Sequence, residues 1–343
     1  MFEKHRFFPE TWKGWIFDFP DEASKMQMKF HINKNYFLYF VMIVFVFLAS
    51  SAMSLSTTTP YLSKKPTLTF LPKEFPANPI LRNGSSFPVV SAQGAMVVDL
   101  GTGISLYEKN PDAKLLPAST TKIITALVAL DVYSLDQILT VPKGAGVDGQ
   151  KMGLYSGEQM RVKDLLYGLL VYSANDAAMT LAGSYPGGYD AFIDAMNIKA
   201  RDLSMENSKF TNPVGLDGDS QRSTAKDMVR ASEVAMRNPE FAKIVGTKSI
   251  TLTDATGKIK YNLGNVNELL GEVPGVLGVK TGWTENAREN LITYVERDNH
   301  KIMIAILGSQ DRFGETKELI DWTFSNYEWQ KVRISMPVAD GKR

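Results

Sequence analysis

Ala118-Ser119-Thr120-Thr121-Lys122-Ile123-Ile124-Thr125-Ala126-Leu127-Val128-Ala129-Leu130 is the stretch on which the fold and the chemistry of this chain turn. Ile123, Ile124, Leu127, Val128 and Leu130 recur on a helical period, which predicts a buried helix over 118–130. At its start Ser119 and Lys122 stand three residues apart, so they share one side of the helix and the amine can reach the hydroxyl. Two further strings follow in order, Ser173-Ala174-Asn175 and Lys280-Thr281-Gly282. Together the three supply a hydroxyl nucleophile, an amine to activate it, a second hydroxyl with an amide, and a cationic anchor. That is equipment for acyl transfer without histidine.

The histidines can be checked one by one. His5 and His31 precede an apolar segment that should keep them across a membrane from the rest, and His300, in Arg297-Asp298-Asn299-His300, reads as a hairpin tip. A Ser-His-Asp triad is thereby excluded. The chain has no cysteine, which removes disulfides, thiolate metal sites and thiol catalysis together. No histidine or acidic cluster has metal-ligand spacing, so no metal or organic cofactor is expected. Lys plus Arg (38) nearly cancels Asp plus Glu (37), leaving no global pull toward nucleic acid.

Working outward, Tyr36 to Leu55 carries no charge and is long enough as a helix to span a hydrocarbon core of about 30 Å. Lys25, Lys29 and Lys34 lie just before it, so the positive-inside rule places residues 1–35 in the cytoplasm and the remainder outside. The competing reading is a cleaved signal peptide, with Ala49-Ser50-Ser51-Ala52 as the cleavage region, but the preceding tail is long for one. Residues 56–90 hold Pro60, Pro66, Pro72, Pro76, Pro79 and Pro88 among Ser, Thr and Lys without a sustained period, and read as a tether. A catalytic domain is expected over 91–332 and a short tail over 333–343. The expectation is a single-pass membrane protein with its catalytic domain outside.

Within that domain, Ala95 to Leu100 and Ile104 to Tyr107 read as a hairpin around Gly101-Thr102-Gly103. Val162 to Tyr172 and Asp176 to Ala182 read as helices; Leu291 to Val295 and Ile302 to Leu307 pair around Asp298-Asn299; Glu315 to Tyr327 reads as a closing helix. An antiparallel sheet drawn from both chain ends, with a helical region inserted, is an α+β plan.

Each string has a plainer alternative. Ser223-Thr224-Ala225-Lys226 repeats the S-x-x-K pattern, but Thr224 with Asp227 fits a helix-capping box. Ser173 or Asn175 could cap the next helix, and Asp176 and Ala177 read as structural. Lys280-Thr281-Gly282 follows Val276-Leu277-Gly278-Val279, an apparent edge strand, where Gly282 admits a close substrate backbone and Lys280 with Thr281 can bind a free carboxylate. Lys280 is also the second cation that, with burial, lowers the pKa of Lys122 toward that of a useful base.

These strings, with Pro117-Ala118-Ser119, Met152-Gly153-Leu154, Asp164-Leu165-Leu166-Tyr167-Gly168-Leu169-Leu170 and Ser223-Thr224-Ala225, occur in the order of a known family. From about Ser91 to Tyr327 the chain resembles the low-molecular-mass penicillin-binding proteins of the D-alanyl-D-alanine carboxypeptidase family. The resemblance implies the penicillin-binding-protein/β-lactamase-like serine transpeptidase fold. It implies Ser119 as nucleophile, Lys122 as base, Ser173 as proton-relay hydroxyl, Asn175 as substrate-amide ligand, and the backbone N–H groups of Ser119 and Trp283 as oxyanion hole, the Trp283 indole packing over its strand. Peptidoglycan stem peptides are the implied substrates and β-lactams the implied covalent inhibitors. Where the family commonly continues with Ala-Gly, this chain has Ala287-Arg288, which requires a different turn or a backbone angle that tolerates a side chain.

Three other readings remain open here. A D,D-endopeptidase of the same family shares every motif. A class A β-lactamase needs a deacylating glutamate that Phe210 to Leu216 does not supply, and a penicillin sensor needs a signalling domain that Met1 to Asn35 does not resemble. Relatives often carry a second β-rich domain and a C-terminal amphipathic anchor; with the chain ending at Arg343, the N-terminal helix is expected to replace that anchor.

Overall fold

The computed structural model describes residues 76–218 and 220–331. The expected tails 1–35 and 333–343, the span 36–55 and residues 56–75 of the expected tether lie outside the described residues. Among those described, no helix is long and apolar enough to cross a membrane.

In chain order the elements are β1 (Asn78–Leu81), β2 (Gly94–Asp99), β3 (Ser105–Lys109), α1 (Lys122–Val132), β4 (Ile138–Thr140), β5 (Gln159–Arg161), α2 (Val162–Leu170), α3 (Asn175–Gly183) and α4 (Gly188–Asp202). They continue with α5 (Ala225–Met236), α6 (Pro239–Val245), β6 (Ser249–Thr253), β7 (Lys260–Gly264), β8 (Val276–Thr284), β9 (Arg288–Arg297), β10 (His300–Ser309), α7 (Arg312–Asn326) and β11 (Tyr327–Gln330). The main sheet has the order β3-β2-β10-β9-β8, antiparallel throughout, so strands from both ends of the chain meet at its centre and β8 lies at an edge.

Alternation along these strands builds two cores. Ala95, Val97, Leu291, Val295, Ile302, Ile304 and Ile306 face Leu319 and Ile320 of α7. Val98, Ile292, Met303, Ala305 and Leu307 face the helical region around Ile123, Ile124 and Leu165. Because successive side chains point to opposite faces and both faces are covered, the strands read as nearly unbroken apolar runs. The β9–β10 connection is the two-residue Asp298-Asn299 turn, both residues at positive φ (48° and 64°), the twist a tight hairpin needs.

The expected tether is shorter than the proline pattern suggests. β1 lies inside it and pairs with β11, Asn78 opposite Gln330 and Leu81 opposite Tyr327. Phe87 packs 5.0 Å from the Trp322 ring, whose Nε1 donates to Ser86 O at 2.7 Å. These contacts lie over 200 residues apart in sequence, so no local period announces them.

The β8–β9 turn resolves the Arg288 question. Arg288 keeps the left-handed angle, φ 57°, and its side chain is exposed. A non-glycine residue there costs about 1–2 kcal/mol. Arg288→Gly is therefore expected to stabilise the fold by roughly 1 kcal/mol and raise Tm by about 2–4 °C. An unchanged or lower Tm in thermal unfolding would mean that the arginine side chain compensates for its backbone.

Candidate active site

Ser119 does not open the α-helix proper. Ala118–Thr121 form a 3-10 turn and α1 starts at Lys122. With three residues per turn, positions i and i+3 eclipse, which suits the pair better than an α-helix would. Lys122 Nζ lies 2.9 Å from Ser119 Oγ and donates to Val214 O at 2.6 Å. Thr120 Oγ1 donates back to Pro117 O (2.6 Å) and Thr125 Oγ1 to Pro213 O (2.6 Å), which pins the turn and the 213–214 segment beneath it. Lys122 is 0% exposed, whereas Ser119 is half-buried and reachable.

Ser173 and Asn175 do not cap α3. The capping position is Ala174, without a side-chain bond. Instead Ser173, at φ 63°, presents Oγ to Lys280 Nζ at 2.9 Å, and the same amine donates to Thr281 O at 2.9 Å. Asn175 Nδ2 donates to Asp148 O and its N–H to Gln150 O at 2.7 Å. The second S-x-x-K separates cleanly. Thr224 Oγ1 caps α5 by accepting from Asp227 N at 3.0 Å, Ser223 Oγ sits 2.8 Å from Ser208 Oγ, and Lys226 pairs with Asp112.

Gly282 is required by a contact closer than any substrate. A Cβ there would stand 3.1 Å from Pro117 O, Ser119 N and Thr120 N, so its absence lets the nucleophile turn rest directly on β8. Trp283 is 62% exposed, so its indole stands in solvent rather than packed over the strand.

Three participants had no local signal. Arg312, at the start of α7, donates from Nη1 to Gly282 O at 3.1 Å, bringing a second cation to β8. Asn290 on β9 donates to Leu116 O (2.9 Å) and accepts from Gly308 N (2.7 Å), fixing the approach to the nucleophile. Val214 offers only its carbonyl, which a sequence cannot show to be aimed at an amine.

Both buried lysines are easier to deprotonate than a lysine in water. Burial first, then the Lys280 charge, lowers the Lys122 pKa well below a lysine's ordinary value. Burial first, then the Arg312 guanidinium, brings Lys280 down to about 7. Both shifts run toward the neutral amine, the form in which a lysine can accept a proton.

Fold and site together define a class of serine acyl-transfer enzymes, here with a buried lysine amine beside the serine hydroxyl. The family model for D-alanyl-D-alanine carboxypeptidase matches residues 82–311. D-alanyl-D-alanine carboxypeptidase DacF of Bacillus subtilis (strain 168) is 34% identical over 270 residues, 76% of this chain and 69% of its own length. A D-alanyl-D-alanine endopeptidase of Escherichia coli (strain K12) is 31% identical over 247 residues, 69% of this chain and 79% of its own. The crystal structure of the Streptomyces K15 DD-transpeptidase superposes with TM-score 0.66 at 30% identity, covering 70% of this chain and 99% of that one. The chain belongs to the D-alanyl-D-alanine carboxypeptidase family, and is a serine-type hydrolase with the α+β fold of that family.

The Lys280 pKa has a consequence for stability. In the unfolded chain a lysine keeps its proton to about pH 10.5, but folded Lys280 releases it near 7. Between these values the unfolded state binds more protons, so stability rises with pH across that window and the cost of burying the charge is full below pH 7. Lys280→Met should abolish peptide turnover yet raise Tm at pH 6, the difference from the native protein shrinking toward pH 10. Equal Tm values at pH 6 in paired melts would show that the buried amine imposes no such cost.

Proposed function

We propose that this enzyme removes the terminal D-alanine from peptidoglycan stem peptides while tethered to the outer face of the cytoplasmic membrane. The observation that carries the chemistry is the buried Lys122 amine 2.9 Å from the reachable Ser119 hydroxyl. Ser119 Oγ attacks the carbonyl between the two D-alanines, and its proton passes to Lys122 Nζ. The backbone N–H groups of Ser119 and Trp283 receive the developing oxyanion, an interaction worth about 2.7–4 kcal/mol per donor. On collapse the C–N bond breaks, and the proton held by Lys122 passes to the departing D-alanine amine through Ser173, which Lys280 holds in place. Water then cleaves the ester on Ser119.

Selection for a free carboxyl end follows from charge. Lys280, the Thr281 hydroxyl and Arg312 converge on β8, and an arriving carboxylate favours the charged form of Lys280. Asn175 takes the amide on the acyl side. β-Lactams, which carry a strained amide and a carboxylate, would acylate the same serine. In the 210–216 segment Lys122 meets the Val214 carbonyl rather than a carboxylate, which supports slow release of a penicilloyl group.

The tether reading rests on the uncharged run from Tyr36 to Leu55 behind Lys25, Lys29 and Lys34. The protein should sediment with membranes and keep its N-terminus, and its domain should be cleavable by protease added to spheroplasts. A soluble form beginning near Met53 would reveal a processed signal peptide instead.

For the activity, purified protein should release D-alanine from a D-Ala-D-Ala pentapeptide and take up labelled penicillin. Ser119→Ala should lose both activities, at least 10³-fold in turnover, while Ser223→Ala keeps them. An adduct mapped to Ser223, or faster cleavage of cross-linked dimers than of the pentapeptide, would overturn the assignment.

A further inference from the structure

Asn175 and Asp176 are neighbours at the start of α3, yet both grip the same distant loop. Asn175 Nδ2 donates to Asp148 O, and Asn175 N to Gln150 O at 2.7 Å. The Asp176 carboxylate, 1% exposed, accepts from three consecutive backbone donors further along that loop, Met152 N (3.1 Å), Gly153 N (2.8 Å) and Leu154 N (3.0 Å). Beyond them the Glu158 carboxylate accepts from Tyr155 N (2.9 Å) and from the Tyr261 hydroxyl (2.6 Å), so the far end of the loop is held too. The path from Asp148 to Leu154 is therefore closed at both ends on α3.

A carbonyl only accepts, so Asp148 O decides which end of the Asn175 amide is nitrogen and turns Oδ1 the other way. Among the described residues no protein group donates to that oxygen. An acceptor with no protein donor, on a fixed amide, suits the N–H of a substrate amide. We propose that Asp176 is a positioning residue for acyl-side amide recognition. By holding residues 152–154 it sets where Asp148 O stands, and through that carbonyl it sets the direction of Asn175 Oδ1. The inference rests on the reading of Asn175 as the substrate-amide ligand.

Two β-lactams separate this role from a merely structural one. Benzylpenicillin carries a side-chain amide for Asn175, and 6-aminopenicillanic acid lacks it. The quantity to measure is the ratio of their second-order acylation rates at Ser119. Asp176→Asn presents an NH2 group to donors that need an acceptor, and should lower that ratio about 10-fold. Asn175→Ala should lower it similarly, and the double variant should fall no further. Gly149→Ala provides a second approach should Asp176→Asn fold poorly. Gly149 has φ 92° and is exposed, and a Cβ there would stand 2.7 Å from Asn175 Nδ2, so the same fall in ratio is expected.

If both rates drop in proportion, or the two single effects multiply in the double variant, Asp176 does not act through Asn175 and the inference is wrong. If neither lactam acylates Ser119 in the unaltered protein, the reading of the site falls and the inference with it.

Discussion

Two lysine amines taken out of water, with no carboxylate beside them, set the terms for this fold. Among the described residues neither Lys122 nor Lys280 forms a salt bridge, and both are essentially fully buried. A carboxylate partner would lift the amine pKa back toward its ordinary value. The structure instead gives each amine neutral oxygens: Ser119 Oγ and Val214 O for one, Ser173 Oγ and Thr281 O for the other. Polar groups are thereby satisfied without neutralising charge, which keeps the amines reactive at the expense of stability.

That arrangement needs three chain segments at once, and the rest of the fold keeps them together. The nucleophile turn lies on β8 where Gly282 removes a side chain, the 213–214 carbonyls come from below, and the Ser173 hydroxyl comes from the far wall. These segments are fixed by side chains gathering hydrogen-bond donors. Asn212 Oδ1 accepts from Gly215 N (2.7 Å) and Leu216 N (3.1 Å), and Asp217 takes Thr284 Oγ1 (2.8 Å) and Asn286 Nδ2 (3.1 Å), linking that segment to the turn after β8. Glu315 of α7 does the same for the start of the domain, accepting from Ala92 N (3.2 Å) and Ser309 Oγ (2.6 Å). Irregular backbone near a reaction centre is held here by hydrogen bonds that a flexible loop would lack.

Much of the architecture was legible because its signals are local. The apolar period after Ser119, the Asp298-Asn299 turn and the apolar runs of β2, β9 and β10 each follow from a few adjacent residues. The Thr224 cap was legible for the same reason. The inclusion of Asn78–Leu81 in the fold was not, since prolines hide a strand whose partner lies at Tyr327–Gln330. Nor was the capping reading of Ser173 and Asn175 separable from the catalytic one. Both roles use the same residue types, and only the cap position at Ala174, with the Ser173 and Asn175 side chains bonded elsewhere, sets the capping reading aside.

The sequence by itself determined which chemistry is possible: a serine and a lysine at helical spacing, no cysteine, no histidine placed for a triad, and an amine on an edge strand. It also determined the α+β plan, because side-chain periodicity is written residue by residue. Only the tertiary structure decided that both amines are buried and lowered in pKa. Those shifts depend on burial and on the neighbouring charges of Lys280 and Arg312, brought together from segments far apart in the chain. It also decided that Arg312, Asn290 and the Val214 carbonyl belong to the site, and that Asp176 holds the loop facing Asn175. Electrostatic fields and hydrogen bonds depend on distances in space, and a linear sequence does not state those distances.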